Sequence, residues 1–240
     1  MLNENETQRY AKHLSLLEIG QPGQAKLKQA KVLIIGAGGL GCPVSQLLVA
    51  SGIGTVGIVD GDVVHISNLQ RQILFNDLDL KKNKANVLQQ KLSILNPNTV
   101  VNAYPYFITK ENASDLISGY DIIVDCTDQI DAKKLLGAET AKQEKVLVYG
   151  AIHKYEGQVS TLNLTKNNSY ETLFPPNPKN ELLLSCSDIG VYAILPSLIG
   201  GFQVNEVLKV ILNLGDTLDG KVMFYNARTN YLSVIKFEEN

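Results

Sequence analysis

Cysteine is scarce. The 240-residue chain has three, Cys42, Cys126 and Cys186, and the closest pair lies 60 positions apart. That spacing excludes a disulfide framework and a Cys-x-x-Cys metal knuckle, and it suits a reduced cytoplasm. An excess of one charge is missing too: Lys+Arg 22 against Asp+Glu 24 leaves a formal net charge of −2. No global basic field is available to attract nucleic acid or an anionic membrane. Gly 19 and Pro 8 stay far below the roughly one quarter of residues that marks a low-complexity chain. The start, Met1-Leu2-Asn3-Glu4-Asn5-Glu6, is polar and acidic, the opposite of a signal peptide. The uncharged run between Asp188 and Glu206 holds 17 residues, short of the ~20 apolar residues that span a bilayer. A soluble, cytoplasmic protein is expected, with neither nucleic acid nor membrane as partner.

What is present is alternation. Thr7 to Glu18 spaces Tyr10, Leu14 and Leu17 as one face of a helix, which Gly20 to Gly23 breaks before a short helix through Gln24 to Gln29. Val32-Leu33-Ile34-Ile35 has the length and β-branching of a strand buried on both faces. Strands at Val56–Val59, Val100–Ala103, Tyr120–Val124 and Val146–Tyr149 alternate with helices through Ser51, over 83–95, at Ser114–Ser118 and at Asp131–Lys142. Strand and helix at this spacing predict βαβ units. After Gly150 the pattern changes. Gly157 to Leu164 alternates like an antiparallel strand, and Leu164 to Ser185 reads as a long surface crossover. Ile194 to Leu212 reads as a long helix, with a closing hairpin from Lys221–Phe224 and Leu232–Phe237. The expected fold is α/β, a Rossmann-like, mostly parallel sheet covered by helices on both faces, with antiparallel strands in the C-terminal third. One domain over 1–240 is the economical reading, with a helical arm (1–30) and a nucleotide-binding half (31–150).

Gly36-x-Gly38-x-x-Gly41 joins a buried strand to a helix, where glycines permit a tight turn and backbone N–H groups can approach a phosphate. Asp60 ends the next strand, where an acid can accept hydrogen bonds from ribose hydroxyls. The glycines alone do not separate NAD from ATP. Asp62 and the run Ser67-Asn68-Leu69-Gln70-Arg71-Gln72 add amide, hydroxyl and guanidinium groups, a lining that suits a triphosphate better than a nicotinamide ring. Lys84 follows at a helix start. Asp125-Cys126-Thr127-Asp128 ends another strand on the same rim, and one carboxylate plus phosphate oxygens is the usual way to hold Mg²⁺. Asp128 is the better metal candidate, and Asp125 is expected to cap loop N–H groups.

These segments, with Glu156-Gly157-Gln158-Val159, Arg9-Tyr10 ahead of Gly23-Gln24, and Cys186 ahead of Gly190-Val191, resemble the MoeB/ThiF/HesA adenylyltransferases, bacterial relatives of ubiquitin-activating enzymes. The resemblance runs in order along nearly the whole chain. It implies adenylation of the C-terminal glycine of a ubiquitin-fold sulfur carrier protein with a Gly-Gly tail, at the expense of ATP and with Mg²⁺, by a homodimer. The last third, 151–240, would bind the carrier. By matching positions, Gly39 and Gly41 would hold phosphates and Asp60 the ribose. Asn68, Arg71 and Lys84 would neutralise the triphosphate, and Asp128, followed by Gln129, would hold Mg²⁺.

The sequence also departs from the family. Lys12 stands where a second arginine usually reaches into the partner subunit's site, and it lacks the bidentate fork. Gln129 replaces an asparagine, Lys133 an arginine, and Lys81 a glycine. The two Cys-x-x-Cys pairs of many relatives are missing, so no zinc is expected. Cys186 sits where some relatives keep a nucleophile, whereas Cys42 and Cys126 read as core cysteines. No rhodanese-like extension follows Asn240, so a separate sulfur donor is expected. Thiamine and molybdopterin carriers end alike, although Asp62-Val63-Val64-His65-Ile66-Ser67 is similar to the thiazole branch. Two other readings remain open: a non-catalytic carrier- or nucleotide-binding module, and a NAD-binding oxidoreductase.

Overall fold

The computed structural model describes residues 2–165, 168–175 and 190–237. Its frame is one eight-stranded sheet in the order β3-β2-β1-β4-β5-β6-β7-β8. The strands are β1 (Lys31–Ile35), β2 (Thr55–Val59), β3 (Val100–Tyr104), β4 (Ile122–Asp125), β5 (Val146–His153), β6 (Glu156–Leu162), β7 (Lys221–Asn226) and β8 (Tyr231–Lys236). The first five pair in parallel and the last three add antiparallel. This is the mixed sheet expected from the residue pattern. Lys31↔Thr55 and Val32↔Ile122 set the register of β1 against its two neighbours.

The strand alternation sorts side chains onto two faces. Val32, Ile34, Val56, Ile58, Ile122 and Val124 pack on one face with α3 (Gly20–Gln29), α4 (Gly41–Ser51), α5 (Lys84–Leu95) and α9 (Leu195–Leu212). Leu33, Ile35, Ile123 and Leu147 pack on the other with α6 (Ala113–Ser118), α7 (Ile130–Lys142) and α8 (Tyr170–Leu173). Because both faces of β1, β2 and β4 are covered, these strands are continuous apolar runs, as parallel strands must be. Residues 32–59 carry no charge at all, yet glycines at 36, 38, 39 and 41 split them into strand, helix and strand. Helix α9 has the length and apolarity of a membrane span, but half of it is buried against α4, β5 and β6.

The N-terminal arm differs from the expected single helix. Asn3 and Glu6 form a capping box for α1 (Glu4–Arg9), and a break at Tyr10 starts the separate α2 (Ala11–Leu14). Tyr10 turns inward at the break, where its hydroxyl accepts from Asn96 Nδ2 at 2.8 Å, while Leu17 is 97% exposed. A helical face was therefore the wrong period for Leu17. Gly20 to Gly23 is no break either: α3 begins at Gly20, and Gly23 packs closely on Ile19 and Leu212, whose methyl groups would lie 3.0–3.1 Å from an added Cβ. Part of the expected crossover, including Cys186, lies outside the described residues, and its described start contains α8.

Candidate active site

In this strand order, β1 and β4 are neighbours whose connections leave toward opposite sides, so a crevice opens at their carboxyl ends. A cavity of about 720 Å³ occupies that place. Its wall includes Gly36, Gly38 and Gly39 after β1, Asp60 and Asp62 after β2, and Ser67, Asn68, Arg71 and Gln72 from the following loop. Lys84 at the start of α5 and Asp128 with Gln129 after β4 complete the wall. Twelve of the residues expected from the sequence are thus brought together from segments far apart in the chain.

The glycines divide the labour. A Cβ on Gly41 would lie 1.9 Å from the Gly36 carbonyl oxygen, and one on Gly36, at φ +99, would lie 2.6 Å from the Cys126 carbonyl. These two let the turn close on itself and on β4. Gly41 lies behind Gly38 and Gly39 in the turn and is not part of the cavity wall. Gly38 and Gly39 instead present backbone to the cavity at the N-terminus of α4, where peptide N–H groups and the helix dipole favour an anion.

Asp60 is buried and already engaged, accepting from Ala37 N–H and Asp62 N–H at 2.7 Å each. Burial pushes its carboxyl above the ordinary range; the Ala37 N–H and the Lys84 ammonium oppose that rise without cancelling it. Asp60 therefore holds the glycine loop closed as well as facing the cavity. Asp62 is more open and pairs with the buried Lys84 ammonium at 3.0 Å. Asn83 caps α5 and donates to the Asp60 and Asp62 carbonyls, which fixes Lys84 against the loop. Arg71 donates to the Ser67 carbonyl at 3.0 Å, leaving the rest of its fork toward the cavity. The Gln72 Oε1 is buried with no hydrogen-bond partner among the described residues. Such an acceptor costs free energy until a donor arrives, and a bound ligand is one source.

Across the cavity, Asp125 is fully buried and accepts from Thr127 N–H at 2.9 Å and Thr127 Oγ1 at 2.7 Å. That is the expected capping role. Asp128, three residues on, is exposed at the rim and has no hydrogen bond or ion pair among the described residues. A free carboxylate facing a cavity large enough for a nucleotide fits Mg²⁺, which takes one or two carboxylates and completes its shell with phosphate and water. Lys12 is exposed on α2 and is not part of the cavity wall, and Cys186 falls outside the described residues. Cys42 and Cys126 are buried, and burial pushes the Cys42 thiol up to about 12.

Several wall residues gave no sequence signal strong enough to single out. Phe107 and Ile108 follow β3 and form an apolar edge, with Phe107 lying over Gly61. Gln203, in the middle of α9, lies behind the wall and is buried; its Nε2 donates to the Asp125 carbonyl at 2.8 Å.

A doubly wound sheet with glycine backbone, cations and a free carboxylate at its switch point defines a nucleotide-binding α/β protein. The ThiF family model matches residues 10–240, and the chain belongs to the ThiF family. It is 40% identical over 229 residues to the sulfur carrier protein adenylyltransferase of Thermus thermophilus, covering 93% of this chain and 84% of that protein. The SAMP-activating enzyme E1 of Haloferax volcanii is 35% identical over 239 residues, covering 100% of this chain and 88% of that protein. The probable molybdopterin-synthase adenylyltransferase of Porphyra purpurea is 40% identical over 238 residues, of which this chain spans 61% of the length. Among solved structures, E. coli MccB crystallised with ATP superposes with a TM-score of 0.84 at 22% identity, covering 99% of this chain and 73% of that one. That last likeness concerns the fold.

Proposed function

We propose that this ThiF-family chain is an adenylyltransferase that activates the C-terminal glycine carboxylate of a ubiquitin-fold sulfur carrier protein as an acyl adenylate. ATP is the second substrate and pyrophosphate the product. The relatives named for sulfur carrier and molybdopterin-synthase adenylation support the reading. The observation that carries it is the convergence of Gly38, Gly39, Asn68, Arg71, Lys84 and Asp128 on one cavity.

The chemistry asks the protein for position and charge. A carboxylate is a poor electrophile, and attack of its oxygen on the α-phosphorus gives it a leaving group while pyrophosphate departs. The Gly38–Gly39 backbone would hold phosphate oxygens at the α4 N-terminus, and Asp60 or Asp62 would accept from the ribose. Arg71 and Lys84 would balance the negative charge that builds on the departing pyrophosphate, in a recess where water screens it less. Mg²⁺, held by Asp128, would supply charge neutralisation of the phosphate oxygens. Holding both substrates in line removes most of the entropic cost of the encounter. The last third of the chain would shape the groove for the carrier, within a single adenylation domain. A homodimer in a cytoplasmic setting, with a separate sulfur donor, completes the proposal.

Carrier-dependent exchange of labelled pyrophosphate into ATP tests it. Asp128→Ala is expected to slow exchange by about 10²–10³-fold, the range for removing one group that stabilises transition-state charge. Tight carrier binding without any AMP adduct by mass spectrometry would instead establish a non-catalytic binding module.

A further inference from the structure

Lys133, on the first turn of α7, is a buried residue of the cavity wall. Its ammonium donates to Asp125 Oδ2 at 2.9 Å and to the Gly150 carbonyl at 2.7 Å, and it lies 4.9 Å from the centre of the Tyr149 ring. One cation thus ties the end of β4 to the middle of β5 and to the ring beneath them. Asp125 uses its other oxygen to hold both Thr127 donors. The loop that presents Asp128 is therefore anchored through Asp125, and Asp125 is anchored by Lys133. Tyr149 also stacks edge-on with Tyr170 and Phe174, at 6.2 Å and 5.4 Å between ring centres, which seats α8 on the same platform.

We infer that Lys133 is a positioning residue of the site: it does its work by fixing Asp125, and through Asp125 the turn that aims Asp128 into the cavity. This rests on the reading of Asp128 as the carboxylate for Mg²⁺–nucleotide. A buried carboxylate without its cation would turn to other donors or take up a proton, and the Thr127 turn would loosen. Outer residues that orient a ligating carboxylate typically carry 10–100-fold of metal affinity.

The test separates the two claims. Amide hydrogen exchange of the peptide spanning Thr127 is measured in the ligand-free protein, wild type against Lys133→Met, Lys133→Gln and Lys133→Arg. Thr127 exchange is expected to rise about 10-fold in Met and Gln, with the β1 and α4 amides unchanged, and to return within about 3-fold of wild type in Arg. If Met does not fold, Gln carries the same expectation, since it keeps a donor for Gly150 but loses the charge on Asp125. Unchanged Thr127 exchange in a folded neutral variant overturns the inference, as does a uniform rise across the sheet, which marks a merely structural lysine. A second readout is the gain in ATP affinity on adding Mg²⁺. That gain is expected to fall about 10-fold in the neutral variants, with metal-free ATP binding little changed, and to fall no further when Lys133→Met is added to Asp128→Ala. A wild-type protein with no Mg²⁺-dependent gain would defeat the reading of Asp128 while the Thr127 exchange still judged Lys133.

Discussion

Strands β1, β2 and β4 are sealed on both faces, whereas β8, at the far end of the same sheet, leaves Tyr231 65% and Ile235 54% exposed. The glycines differ in the same way. In the β1–α4 turn, Gly36 and Gly41 have backbone at sub-contact distances from any added Cβ; Gly201 in α9 would meet nothing within 4 Å. The strands under the cavity are thus a fixed frame whose loops are held by buried carboxylates, and the edge strand β8 has apolar surface left over. Groups that must be preorganised around a cavity are best carried by such a frame.

Substitutions can break that contrast. The largest effect is expected from Gly41→Ala, whose methyl group would displace the Gly36 carbonyl and open the β1–α4 turn. Overpacking against backbone sits at the upper end of its range, about 3 kcal/mol. That corresponds to a fall in Tm of roughly 6–12 °C, together with loss of thermal protection by ATP. An unchanged Tm would mean the frame is softer than it looks. Gln203→Leu comes next: it strips the Asp125 and Val148 carbonyls of a buried donor, at about 1–3 kcal/mol by calorimetry. Gly201→Ala goes the other way. In a helix interior with open space around it, a methyl group is expected to stabilise by about 0.5–1 kcal/mol. A loss of stability there would show that α9 is tightly confined after all.

The smallest effect concerns acid. Burial raises the Glu6 carboxyl, but the Lys28 ammonium at 2.7 Å and the Asn3 N–H outweigh it and leave it below its ordinary value of 4.5. A lowered folded value means that this contribution is complete above about pH 4.5 and fades as pH falls through the folded value. Glu6→Gln should therefore lower Tm at neutral pH and flatten its dependence on pH below 4.5. A parallel pair of curves would show that the α1–α3 link contributes nothing.

Much of the frame could be read from the residues. The run Val32–Ile35 could only be a buried strand, and the glycines after it could only turn tightly. Asp60 and Asp125 stood at strand ends, where the topology of a parallel sheet puts a ligand. Gly41 shows the limit of such reading. Its place in the motif suggested a phosphate contact and gave no sign of the 1.9 Å approach to Gly36, which makes it a packing position whatever it binds. Leu17 and the split at Tyr10 show another limit, since short amphipathic segments take their orientation from whatever they dock against.

The order of strands and helices, the glycine turn and the acids at the strand ends came from the sequence alone, because hydrophobic period and backbone permissiveness are local properties. The anchoring of those acids did not. Lys133 reaches Gly150 across 17 positions and Gln203 reaches Asp125 across 78, and neither contact exists until α7 and α9 are packed on opposite faces of the sheet. Only the tertiary structure could make those pairings, because a buried polar group takes its partner from the packing around it.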